Sequence, residues 1–254
     1  MAAISVVVFG FTQAACGLGS DPDVVRSAGQ ESSSAGDTAL LRTRGDAPGT
    51  GLDPAQRPTL GSRVLFLGTS LTAGRGLPDP TDRFTDQIQA LADSAGLPFR
   101  MVNAGVSGDT SAGGLRRISW LLRDPVHVLV LELGANDGIR GLSPDSMKAN
   151  LNAVIDSTRT YYPQARLLLS GMQAPPNLGE AYASAFSSVF SELARANEGT
   201  LIPFLLEGVA GVPELNQADG IHPTSEGHRI VAETVWGHLR PILDDLNTEQ
   251  LTDL

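Results

Sequence analysis

From residue 63 onward, short apolar runs alternate with longer segments in which apolar residues recur every three or four positions. The runs are RVLFLG (63–68), FRMVNAG (99–105), VHVLVLELG (126–134), ARLLLSG (165–171) and a weaker TLIPF (200–204). Each has the length of a strand, and most read as continuous apolar sequence, the mark of strands covered on both faces. The segments between them, at 82–95, 111–123, 144–161 and 180–197, and a last one at 224–244, carry helical periodicity. Such alternation predicts βαβ units and an α/β fold, with about five parallel strands in a three-layer αβα sandwich.

The chain ahead of residue 62 has a different texture. Residues 2–11 (AAISVVVFGF) are apolar but far short of the roughly 20 apolar residues that span a bilayer, and small residues lead from them to Cys16. This reads as a signal peptide. The small residues before Cys16 resemble the lipobox of bacterial lipoproteins, in which the cysteine is lipidated and becomes the first mature residue. Gln13 stands where a lipobox usually has Leu, and no Lys or Arg precedes the apolar run. Ordinary secretory cleavage and a folded apolar segment remain alternatives. Residues 17–61, rich in Gly, Ser, Asp, Thr and Pro, lack either periodicity and bury too little apolar area to offset their ordering entropy. The expected organisation is a leader at 1–16, a flexible tether at 17–61, a catalytic domain at 62–246 and a tail at 247–254. The protein is expected to be exported, either periplasmic or anchored to a membrane through Cys16.

Composition narrows the function classes. With 41% hydrophobic and 18% charged residues among 254, the chain suits one soluble domain plus a tail. A formal charge of −10 makes a nucleic-acid surface a poor fit, because such surfaces cluster Lys and Arg to displace counterions. The same charge repels polyanionic acyl carriers, which leaves neutral esters as the easier substrates. Cys16 is the single cysteine, so no internal disulfide forms, and it has no metal-ligand residues beside it.

In doubly wound sheets, ligands bind beyond the carboxyl ends of the strands. The first run ends in GTSLTAG (68–74), placing Ser70 just past a strand in a glycine-flanked turn. The second ends in NAGVSGDTS (103–111), where Gly108 can present a bare N–H; the third ends in LGAND (133–137), with the Asn136 amide. After the last strand comes DGIHP (219–223). Asp219 and His222 are three positions apart with Gly220 between them, so one turn can fold the carboxylate onto one imidazole nitrogen and leave the other free. A weak serine nucleophile needs that base-and-orienter pair.

These segments resemble the blocks of the SGNH, or GDSL-type, hydrolase superfamily, in its arylesterase and thioesterase I group. The likeness extends from about Arg63 to the final helix, with the blocks in the family's order. It implies a flavodoxin-like sandwich, with Ser70 as nucleophile, Asp219 as orienter and His222 as general base. The Ser70 N–H, the Gly108 N–H and the Asn136 side chain would form the oxyanion hole. Metals and organic cofactors are no part of that family's chemistry. The first block departs from the family pattern, since Thr69 occupies the place of the usual Asp. Because the family takes its acid from the DxxH block, the change is expected to alter support of the nucleophile turn and leave the triad complete.

Each residue has a plainer reading. A serine in a glycine-rich loop is usually a turn residue, and Asn-Asp-Gly and Ser-Gly-Asp are ordinary turn signals. Ser107 sits in GVSGD, which looks like an esterase elbow, but Asp109 stands where G-x-S-x-G needs glycine. His127, His228 and His238 fit packed or solvated positions. The loops at 138–143 and 172–181 are expected to flank the pocket, with Ile139, Leu142, Met172 and Pro175 suiting a short acyl or aryl group. The expected activity is hydrolysis of aryl and short-chain alkyl esters. Thioesterase or lysophospholipase activity uses the same chemistry, and a non-catalytic module that binds acylated glycans is the rival from another class.

Overall fold

The structure is a computed structural model and describes residues 62–252. The expected leader with Cys16 and the expected tether at 17–61 lie outside the described residues. The strands are β1 (Ser62–Gly68), β2 (Phe99–Gly105), β3 (Val128–Glu132), β4 (Arg166–Ser170) and β5 (Thr200–Ile202). The helices are α1 (Ser70–Ala73), α2 (Phe84–Ser94), α3 (Ser111–Leu121), α4 (Ala135–Ile139), α5 (Pro144–Tyr161), α6 (Glu180–Ala196) and α7 (Ser225–Thr252).

All strand pairs are parallel, and the sheet runs β2-β1-β3-β4-β5. Helices α2 and α7 pack together on one side, while α3, α5 and α6 form a second packed set. The αβα sandwich expected from the alternating pattern is therefore the observed fold. Every residue of β1 and β3 is buried, as continuous apolar runs require, whereas the edge strand β2 is largely half-exposed. Phe66 of β1 is fully buried and meets Phe84 of α2 edge-on at 5.8 Å. Truncating such a ring to alanine typically costs about 3–5 kcal/mol.

Most element ends fall within two residues of the periodicity, and the ends of β5 and α7 show why the chain departs from it. The last strand stops at Ile202 because Pro203 has no N–H to continue a ladder; the chain instead closes onto Gly171, which donates to the Ile202 carbonyl and accepts from Leu205. At the other end, α7 continues to Thr252, past the end expected near 244, so residues 247–252 are helical rather than tail. Buried Leu243 and Leu246 carry the apolar stripe onward, through Pro241, which sits inside the helix.

The strand order positions the site. From β1 the chain crosses first to β2 on one side and later to β3 on the other, and this reversal opens a crevice at the carboxyl ends. Gly68, the last residue of β1, pairs in register with Gly105 of β2 and with Glu132 of β3. The GTS, SGD and AND segments follow directly from those three ends.

Candidate active site

The turn after β1 is built around a buried carboxylate. Glu132, at the end of β3, is 1% exposed and accepts hydrogen bonds from four groups. These are the Thr69 N–H at 2.8 Å, the Thr69 hydroxyl at 2.9 Å, the Thr72 N–H at 3.3 Å and the Thr72 hydroxyl at 2.7 Å. Gly68 makes room for this arrangement: a Cβ there would lie 2.0 Å from the Thr72 Oγ1 and 2.5 Å from the Glu132 Oε2. Burial pushes the Glu132 carboxyl above its usual pKa, and the hydrogen bonds from Thr69 and Thr72 oppose that shift.

Thr69 also accepts weakly from the Leu71 N–H, at 3.4 Å. The amides of residues 69, 71 and 72 are thus engaged, while that of Ser70, between them, bonds to no other described residue. Thr69, in place of the family's usual Asp, gives Glu132 a hydroxyl donor; a second carboxylate there would have opposed it. Glu132 and Thr72 were missed by sequence reasoning, although one acid inside the run VLVLELG was a usable sign of a buried, hydrogen-bonded carboxylate.

His222, the base expected from the sequence, lies on an exposed loop between β5 and α7. His222 Nε2 lies 2.8 Å from Ser70 Oγ, and His222 Nδ1 lies 2.6 Å from Asp219 Oδ2. Since a carboxylate only accepts, Nδ1 carries the proton and the Nε2 lone pair faces the serine hydroxyl. The other carboxylate oxygen of Asp219 accepts the Ile221 and His222 N–H groups at 2.9 and 3.0 Å. Bonds from the His222 N–H, the His222 ring and the Ile221 N–H hold Asp219 well below the usual carboxylate range. Asp219 keeps 45% of its side chain exposed, against 13% for His222. Gln217 ties this loop to the chain just past the Ser70 turn, its amide donating to the carbonyls of Arg75 and Pro223 at 2.8 and 2.9 Å.

The remaining donors sit past β2 and β3. Gly108 adopts φ +82°, a conformation that favours glycine, and its N–H bonds to no other described residue. Asn136 lies in the first turn of α4, and its Nδ2 donates one proton to the Asp109 carbonyl at 2.9 Å, leaving the second available. A further buried carboxylate, Asp137, accepts the Ser111 N–H at 2.8 Å and the Ser111 hydroxyl at 2.6 Å, joining α4 to the start of α3.

Among the pocket residues expected from sequence, Ile139 closes α4 and Leu142 lies on the loop after it, both exposed, and Pro175 is half-buried. Met172 lies in the core, 4% exposed, just past β4. Ser107 is exposed, and the described hydrogen bonds link no histidine to it. His127 accepts the Arg63 N–H, His228 is buried against Phe84, and His238 bonds within its own helix. Among the described residues, no group of three or more His, Cys, Asp or Glu side chains is arranged to hold a metal ion.

Residues 66–230 match the model of the GDSL-like lipase/acylhydrolase family. The chain belongs to that family. It is 42% identical over 181 residues to Esterase TesA of Pseudomonas aeruginosa, covering 71% of this chain and 89% of that protein. A crystal structure of TesA aligns with a TM-score of 0.67 at 41% identity, over 71% of this chain and 99% of that one. The Arylesterase of Vibrio mimicus is 36% identical over 68% of this chain and 86% of its own length. Thioesterase 1/protease 1/lysophospholipase L1 of Escherichia coli is 34% identical, over 74% and 88% respectively. For this lipase/acylhydrolase domain the aligned stretch contains the three strand ends and the 219–223 loop.

Proposed function

We propose that this carboxylic ester hydrolase cleaves aryl and short-chain alkyl esters through an acyl-enzyme on Ser70. The observation that carries the reading is the contact line Asp219–His222–Ser70, at 2.6 and 2.8 Å, which joins residues 152 positions apart in sequence. In the forward step His222 Nε2 takes the Ser70 proton as Oγ attacks the ester carbonyl. The negative charge that develops on the carbonyl oxygen is met by the Ser70 N–H, the Gly108 N–H and the free proton of Asn136 Nδ2. Collapse of the tetrahedral intermediate expels the alcohol, which leaves with the proton held on His222. Water, deprotonated by the same nitrogen, then releases the acid. Asp219 holds the tautomer and stabilises the imidazolium in both halves.

The substrate class rests on the exposed apolar side chains Ile139 and Leu142 and on the acidic net charge. Tyr182 helps to fix their loop by donating to the Leu142 carbonyl at 2.7 Å. A long-chain thioesterase or lysophospholipase activity is the second reading, favoured by the Escherichia coli relative's name. The assembled base and nucleophile favour turnover over a non-catalytic glycan-binding module.

Fluorophosphonate labelling with peptide mass spectrometry tests the nucleophile. The expected result is an adduct on Ser70 and no hydrolysis of p-nitrophenyl acetate by Ser70→Ala; an adduct on another serine, with that variant fully active, overturns it. A chain-length series of p-nitrophenyl esters beside palmitoyl-CoA separates the two substrate readings. Export and anchoring through Cys16 belong to the same proposal, and labelled palmitate incorporated by the intact chain but not by Cys16→Ser is the outcome that supports them.

A further inference from the structure

We propose that Arg117 is a positioning residue that sets the oxyanion donors relative to Ser70 by gripping three separate chain segments with one guanidinium. The inference rests on the roles of Ser70, Gly108 and Asn136 given above. Arg117 projects from α3. Its Nε donates to Asp109 Oδ2 at 2.7 Å, its Nη1 to the Ala104 carbonyl at 2.6 Å and its Nη2 to the Gly68 carbonyl at 2.9 Å. The acceptors belong to the loop carrying Gly108, to the end of β2 and to the end of β1, two residues before Ser70.

The arrangement reaches every oxyanion donor. Asp109 directly follows Gly108, so the ion pair with Arg117 fixes the orientation of the peptide next to the Gly108 N–H. The carbonyl of the same Asp109 accepts one Asn136 proton, and so decides where the second proton points. The Gly68 carbonyl also accepts the Val106 N–H at 3.0 Å, which locks the second loop to the first strand. Arg117 and Asp109 side chains are 21% and 16% exposed, enough shielding from solvent for the pair to hold its geometry. Arg140 also donates to the Gly108 carbonyl, at 2.9 Å, but from an exposed position and to that loop alone.

The chemistry of the side chain matters as much as its charge. Three nitrogens held in a rigid plane reach three acceptors on three segments, whereas the single nitrogen of lysine must serve all acceptors from one point. Arg117→Lys therefore keeps the charge and loses the registration. The oxyanion develops in the transition state and the tetrahedral intermediate and is absent from the bound ester, so misplaced donors lower kcat and leave KM nearly unchanged. Displacements near 1 Å are enough for losses of about a hundredfold.

The test is a double-mutant cycle on p-nitrophenyl acetate between Arg117→Lys and Asn136→Ala, with Ser70→Ala as reference and thermal melting alongside. The expected result for Arg117→Lys is a fall in kcat of about 10- to 100-fold with KM within about threefold. In the Asn136→Ala background the same substitution is expected to lose less, because one of the donors it aligns is already gone. Asp109→Asn, which keeps the side chain's shape and removes its charge, is expected to reproduce the kcat loss even if the lysine variant folds poorly. Kcat within twofold of wild type in folded Arg117→Lys, or full additivity with Asn136→Ala, overturns the positioning role while a dead Ser70→Ala leaves the hydrolase reading intact. Retained activity in both Ser70→Ala and Asn136→Ala overturns that reading and this one together.

Discussion

The two halves of the proposed catalytic line are built in opposite ways. Ser70 sits on a turn sealed into the sheet, where buried Glu132 collects four hydrogen bonds from Thr69 and Thr72. His222 sits on an exposed loop, where Asp219 organises the turn by accepting the Ile221 and His222 N–H groups and the imidazole Nδ1 proton. Burial raises the pKa of one carboxyl; local hydrogen bonds lower that of the other. A nucleophile aimed at preorganised N–H donors benefits from a rigid seat, because those donors must be in place before charge develops. A base that must pick up and release a proton benefits from a solvated orienter that stays ionised.

The contrast breaks most visibly at Asp219. Asp219→Asn is expected to lower kcat by about 10⁴-fold through the wrong tautomer of His222, with a melting temperature within about 2 °C of wild type, as suits a surface position. A loss of folding comparable to the loss of activity would mean that the base loop is as structural as the nucleophile turn.

The buried side should respond in the opposite sense. Glu132→Ala leaves two buried amides and two hydroxyls without their acceptor and is expected to destabilise the fold by about 4 kcal/mol in denaturant unfolding. Unfolding unchanged to within about 1 kcal/mol would contradict the buried clamp.

A third prediction concerns the point where the exposed loop meets the core. His228, in the first turns of α7, is 1% exposed, accepts the Phe84 N–H on Nδ1 and stacks on the Phe84 ring. Burial lowers its pKa to about 4, with Asp82 opposing and His222 assisting. The folded state therefore binds this proton less readily than the unfolded one, so the neutral ring's contribution is full above pH about 6.5 and is lost as pH falls through about 4. Wild type should lose about 3 kcal/mol more than His228→Gln across that interval; parallel pH profiles for the two proteins would exclude the assignment.

The smallest effect isolates the charge of Glu132 from its shape. A carboxyl raised by burial holds its proton more tightly in the folded state, so its contribution to stability declines as pH rises from the ordinary carboxyl range through the raised value. Wild type should lose stability relative to Glu132→Gln over that rise, measured as the difference in melting temperature. A difference that stays constant with pH would show that Glu132 does not titrate in the fold.

Much of this was legible in the chain. Continuous apolar runs at 63–68 and 126–134 marked strands buried on both faces, and the residues just past them predicted the crevice. The spacing of Asp219 and His222 carried its own geometry, since three residues and a glycine make one turn. What periodicity cannot express is pairing between distant segments: Glu132 with Thr69 and Thr72, or Arg117 with the Gly68 and Ala104 carbonyls. Those contacts arise from parallel register, which aligns Gly68 with both Gly105 and Glu132. A five-residue helix such as α4 shows no period, so the pattern gives no sign of it. Met172 was placed at the pocket because an apolar residue after a strand reads alike whether it turns inward or outward.

The account's central claim is that the Ser70 and Gly108 amides and the Asn136 side chain face one small volume beside the serine oxygen. A crystal structure of the fluorophosphonate adduct tests it directly. The account predicts phosphorus bonded to Ser70 Oγ and a phosphoryl oxygen at about 3 Å from all three donors. Phosphorus on another side chain, or an oxygen turned to solvent with those donors unengaged, would contradict it.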